Sequence, residues 1–183
     1  MNRVIVAFVL AQAIFIAGVL ALPTLRSAHP HPWEPNAPMR PWTNIIVHHS
    51  ASAAGDAAQF DRDHREKGWD GLGYDFVIGN GTDSQDGEVE VGYRWRDQQV
   101  GAHAKPEWNS RAIGICLVGN FEEEPPTAAQ LASLERLCRW LCLRCSIPPE
   151  NVLGHGKTDG NHTLCPGRLL DLDALRRHLR EAS

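Results

Sequence analysis

Positive charge is scarce in this chain: 18 lysines and arginines stand against 22 aspartates and glutamates, a formal net charge of −4. A grip on nucleic acid needs a basic surface, so no nucleic-acid partner is expected. No run of like charge is longer than Glu122-Glu123-Glu124, and there is no internal repeat or low-complexity tract. Repeat architectures are thereby set aside. What remains is an ordinary globular composition, 43% hydrophobic and 22% charged over 183 residues. That length suits one compact domain with a real core and is short for two.

The N-terminus departs from this pattern. Arg3 precedes Val4 to Leu22, a run in which Gln12 alone is clearly polar. Such a run approaches the ~20 residues that cross a bilayer as a helix. It also fits a long signal-peptide core, although Arg26-Ser27-Ala28 makes a poor cleavage site. Residues 1–22 are therefore expected to be a signal peptide or an N-terminal membrane anchor, and either exports the chain to the periplasm or cell envelope. Residues 23–41 carry six prolines, a density that prevents helix and central strand and predicts an extended linker. His29 and His31 lie within it as solvated linker residues.

From 42 to 183 the pattern alternates. Asn44–His48 reads as a buried strand, residues 56–67 as a polar helix stopped by Gly68, and Tyr74–Ile78 as a strand closed by Gly79-Asn80-Gly81. Glu88–Arg94 alternates like a strand, and Ile113–Val118 reads as a central one. Thr127 with Gln130 has capping-box spacing. Leu131, Leu134, Leu137, Cys138, Leu141, Cys142 and Cys145 then recur in an apolar helical stripe. A last helix is expected from about Asp171 to Arg180. The fold class is α/β, one domain with a mixed central sheet flanked by helices.

Three places carry chemistry: Val47-His48-His49-Ser50, Gly154-His155 and Cys165-Pro166-Gly167. Zinc prefers imidazole and thiolate, and a catalytic zinc keeps three protein ligands and an open position. Two histidines and a cysteine meet that count. The same spacing also suits a satisfied strand histidine and a loop thiol. Successive strand residues face opposite sides, so one of His48 and His49 at most reaches a metal.

The runs VHHSAS (Val47–Ser52), GLGYDFVIGNG (Gly71–Gly81), GAHAKPEWNSRAIGICLVGNF (Gly101–Phe121) and GH…HTLCPG (Gly154–Gly167) occur in this order. Together they resemble the zinc-dependent N-acetylmuramoyl-L-alanine amidase family, which includes amidase-type phage lysozymes and peptidoglycan recognition proteins, over about Asn44 to Leu175. The resemblance implies a groove over one Zn2+ held by His48, His155 and Cys165. It implies hydrolysis of the amide between N-acetylmuramic acid and L-alanine of the peptidoglycan stem peptide. Tyr74 matches the family's active-site tyrosine. Thr163 stands where some members carry lysine, and is expected as an orienting hydroxyl. Water activation and carbonyl polarisation would fall to the zinc, with Tyr74 and Thr163 as oxyanion donors. His103 and Asn109 are expected to touch substrate, with Arg111 beside them; a satisfied surface histidine is the other reading of His103, and His162 is expected to be a loop histidine. Trp69, Trp95 and Trp108 either stack on sugar faces or pack in the core.

Two other functions share these features: a non-catalytic peptidoglycan receptor, whose kind usually lacks the cysteine ligand, and a zinc peptidase cutting within the stem peptide. The second normally shows a carboxylate base such as the glutamate of H-E-x-x-H, which is absent. Cys116, Cys138, Cys142 and Cys145 are expected as core thiols. A monomer is the expected state, in contact with the membrane where the N-terminal segment is retained.

Overall fold

The structure is a computed structural model and describes residues 31–160 and 162–181. The apolar segment 1–22 and linker residues 23–30 lie outside the described residues. Among those described, no helix is long and apolar enough to cross a membrane.

Five strands form one mixed sheet: β1 (Asn44–His49), β2 (Phe76–Ile78), β3 (Val89–Val91), β4 (Ala112–Leu117) and β5 (Val152–Gly154), in the order β3-β2-β4-β1-β5. β1 runs parallel to β4 and β5, β2 parallel to β4, and β3 antiparallel to β2. β1 and β4 are buried at every position, as continuous apolar runs in a parallel sheet require. Helices α1 (Ala57–Glu66), α2 (Tyr93–Arg96), α3 (Pro106–Asn109), α4 (Ala128–Cys145) and α5 (Leu172–Glu181) complete the α/β domain.

Alternation along the strands divides the side chains between two faces. Ile45, Val47, Phe76, Ile113, Ile115 and Leu117 join Leu134, Leu137 and Leu141 of α4 and Leu175 and Leu179 of α5 in the main core. On the other face Val77 and Cys116 pack with Phe60 of α1, and Ile46 with Trp108 of α3. α4 starts as its sequence predicts: the Thr127 side chain accepts from the Gln130 amide, and the Gln130 side chain returns the bond to the Thr127 N–H. In the expected stripe, Cys138 is buried and Cys142 and Cys145 are half-buried, whereas Leu131 is exposed.

Two expectations change. The strand predicted over Glu88–Arg94 stops at Val91, and Tyr93–Arg96 is helical. The partner strand β2 offers three residues for pairing, and Gly92 hydrogen-bonds back to the Asp75 carbonyl as the N-cap of α2. The compact unit also begins at Pro32, ahead of Trp42. Trp33 and Met39 pack against the core, the Trp33 carbonyl accepts from Trp95 Nε1 at 2.6 Å, and Glu34 pairs with Arg144 at 2.6 Å. Two apolar anchors hold this part of the proline-rich stretch on the domain.

Candidate metal centre and groove

The candidate site lies at the carboxyl ends of the parallel strands, where open α/β sheets commonly bind ligands. His48 stands near the end of β1. Val47 is in register with Gly154, so His155, the next residue, emerges beside His48. Cys165 comes from the following loop, which is tied down twice: Gly156 N–H donates to the Cys165 carbonyl at 2.7 Å, and His49 N–H donates to Cys165 Sγ at 3.4 Å. Gly156 is required for this approach, because a Cβ there would stand 2.4 Å from the Thr163 carbonyl oxygen.

His48, His155 and Cys165 place one ligand atom each within 4.8 Å of one another. Cys165 Sγ is 3.7 Å from His48 Nδ1, and the His48 and His155 rings are 4.5 Å apart, centre to centre. His49 points the other way. Its ring meets Phe121 at 5.9 Å and its Nδ1 accepts from the Phe121 N–H at 3.1 Å, so of the histidine pair His48 alone faces this cluster. His162 is exposed, as a loop histidine should be.

Burial shapes the protonation states. It lowers the His48 pKa well below 6.5, helped by His103, His155 and His49, and lowers His103 to about 4. Both rings are therefore neutral, the form in which imidazole ligates a metal. Burial pushes the Cys165 thiol up to about 11, against the opposing His49 amide. Taking up a cation would release that thiol proton. Two imidazoles and a thiol at this spacing fit an ion that prefers nitrogen and sulfur.

A groove of about 660 Å³ lies over the cluster, within the size range of ligand pockets. Tyr74 lines it, its ring 5.2 Å from that of His48, and burial holds its pKa well above 10, so the hydroxyl remains a donor. Thr163 stands exposed at the rim with Oγ1 accepting from the Cys165 N–H at 3.2 Å. Among the described residues lining the groove there is no carboxylate.

The two residues expected to touch substrate turn their polar atoms inward. Both border the groove. However, His103 is buried, with Nδ1 3.0 Å from His48 Nε2 and Nε2 3.3 Å from the Ala112 carbonyl, so both ring nitrogens are engaged within the protein. Asn109 Oδ1 accepts from the His103 and Ala104 amides, and its Nδ2 donates to the Ala104 carbonyl. It closes the loop that carries His103. Arg111 stacks on Trp108 at 4.1 Å. Of the three tryptophans, Trp95 and Trp108 are buried, whereas Trp69 is 49% exposed on the groove.

Sequence reasoning overlooked His64. Its Nδ1 accepts from the Gly73 N–H at 3.0 Å, and its ring leans on Trp69 and Tyr74 at the groove wall. The available signal was its i, i+4 spacing from Phe60, which puts both on the buried face of an otherwise polar helix.

A family model described as N-acetylmuramoyl-L-alanine amidase matches residues 38–168. Peptidoglycan recognition protein 1 of Bos taurus is 38% identical over 104 residues, covering 56% of this chain. The chain thus spans about half (50%) of that relative's length. Among solved structures, the endolysin N-acetylmuramoyl-L-alanine amidase LysCS from Clostridium intestinale superposes with a TM-score of 0.65 at 32% identity, covering 80% of this chain and 84% of that one. A variant of Drosophila PGRP-LB in complex with tracheal cytotoxin gives a TM-score of 0.58 at 27% identity, covering 77% and 88%.

Proposed function

The chain belongs to the N-acetylmuramoyl-L-alanine amidase family, and from that premise we propose that it is a zinc-dependent amidase cutting the bond between N-acetylmuramic acid and L-alanine of the peptidoglycan stem peptide. The observation that carries this is the convergence of His48, His155 and Cys165 beneath a groove that Tyr74 also lines. One zinc ion held by these three side chains supplies Lewis acidity toward water and the scissile carbonyl.

The chain's own residues bind and orient. The groove takes the stem peptide where it joins the sugar, with Trp69 offering an exposed ring to it. Tyr74 keeps its proton and donates to the carbonyl oxygen as negative charge develops there. Thr163 orients at the rim while it holds the Cys165 backbone. A peptidoglycan substrate is in keeping with a relative named for peptidoglycan recognition and a neighbour solved with tracheal cytotoxin. The apolar run Val4–Leu22 supports a place in the cell envelope.

The test is release of soluble fragments from purified peptidoglycan by the full chain. Activity should vanish with a chelator, return with zinc, and be absent from Cys165→Ala. Binding to the wall without release in the zinc-loaded wild type would replace the enzyme with a receptor on the same fold.

A further inference from the structure

Zinc can use either nitrogen of a histidine, but only the one without a proton, so something must decide which nitrogen of His48 is bare. The decision can be traced from a single carbonyl. The Ala112 oxygen can accept and never donate, so His103 Nε2, 3.3 Å away, must carry the proton of its neutral ring. His103 Nδ1 is then bare and can only accept. His48 Nε2, 3.0 Å from it, must therefore be the protonated nitrogen of its own ring. That leaves His48 Nδ1 bare, and Nδ1 is the atom 3.7 Å from Cys165 Sγ.

We propose that His103 is a positioning residue: anchored on the Ala112 carbonyl, it fixes the proton of His48 on Nε2 and so presents a bare, correctly aimed Nδ1 to the metal. This inference rests on the zinc reading above. The setting of His103 is built for the task. A Cβ at Gly114 would stand 2.4 Å from His103 Cδ2, so the bare backbone of β4 makes a slot for the ring. Asn109 holds the His103 and Ala104 amides with one oxygen, which fixes the loop that delivers the ring. The two imidazoles meet edge to face at 80° with centres 5.0 Å apart, an arrangement that aims the edge of one at the nitrogen of the other. Partners of ligating histidines typically change metal affinity about 10- to 100-fold when removed.

The test compares the full chain with His103→Phe, which fills the slot without an acceptor, and His103→Asn, whose Oδ1 takes the place of Nδ1. Zinc affinity is read by competition with a chromophoric chelator, and the His48 tautomer by nitrogen-resolved NMR of the zinc-free protein. The expected results are a wild-type His48 protonated at Nε2, a zinc affinity about 10- to 100-fold weaker in His103→Phe, and recovery of most of it in His103→Asn. An unaltered affinity in His103→Phe, or a wild-type His48 protonated at Nδ1, overturns the inference. If His103→Phe does not fold, the wild-type tautomer decides alone. Zinc binding to wild type that Cys165→Ala leaves intact would instead strike the parent reading, while the His48 tautomer still judges His103.

Discussion

Ile45, Val47, Phe76 and Ile115 on one side of the sheet are sealed against α4 and α5. On the other side the same strands present His48 and Cys116, with His103 lying on Gly114 and Tyr74 on the groove. One face is hydrocarbon and is held by packing. The other sets polar groups among smaller apolar clusters, and its buried polar groups are held by specific hydrogen bonds, which specify single arrangements more than they add stability. His48 and His49 compress the contrast into two neighbouring residues: one looks into the donor cluster, the other lies on Phe121 and meets Cys165 through its backbone N–H and carbonyl. Stability and chemistry separate along this line, and substitutions on each face should show it.

The largest effect belongs to the polar face. Cys165→Ala should lower amide hydrolysis by about a thousandfold or more and abolish stoichiometric zinc, with little change in the melting temperature of the chelator-treated protein. Elemental analysis and a thermal melt check both halves.

Next comes a buried carboxylate beside that face. Burial raises Asp75 from 3.8 to about 7, although its Oδ2 accepts from the Gly114 N–H at 2.7 Å. The native state keeps a proton that the unfolded chain loses above pH 3.8. This contribution to stability is therefore full below pH 3.8, falls as pH rises, and is gone above about 7. Its size is up to about 4 kcal/mol. Asp75→Asn keeps the acceptor and cannot titrate, so denaturant titrations from pH 4 to 7 should lose this downward slope and find the variant more stable than wild type at pH 7. His103, held at about 4, has the opposite sign: its share falls as pH drops below 6.5.

On the apolar face Ile115→Ala should cost about 3 kcal/mol by leaving a cavity between sheet and helices. Turnover per folded molecule should be unchanged at a temperature where the variant remains native. Tyr74→Phe returns to the groove and should slow hydrolysis about 10- to 100-fold, with zinc content unaltered. The smallest effect is expected at Thr127→Ala, which removes the capping bond of α4 and should cost about 1 kcal/mol without touching activity.

The convergence of His48, His155 and Cys165 was legible through the family resemblance, because these residues sit in compact runs with fixed neighbours: Val47-His48-His49-Ser50, Gly154-His155 and Cys165-Pro166-Gly167. Strand alternation further required that only one of the histidine pair face it. The helix start at Thr127 was legible for a similar local reason. What could not be read was partnership across the chain. That His103 lies behind His48, and that Asn109 serves the loop, depends on bonds made only after folding. His64 was hidden by the polarity of α1, and β5 by its length of three residues. The segment after Pro32 looked like free linker because proline content reports backbone preference and says nothing of Trp33 and Met39 as anchors.

The amidase reading meets its sharpest test in mass spectrometry of the products that the zinc-loaded full chain releases from purified peptidoglycan. It predicts free stem peptides beginning at L-alanine, together with glycan whose muramic lactyl groups end in carboxylates. Fragments cut within the stem peptide, or an intact wall coated with bound protein, would contradict it.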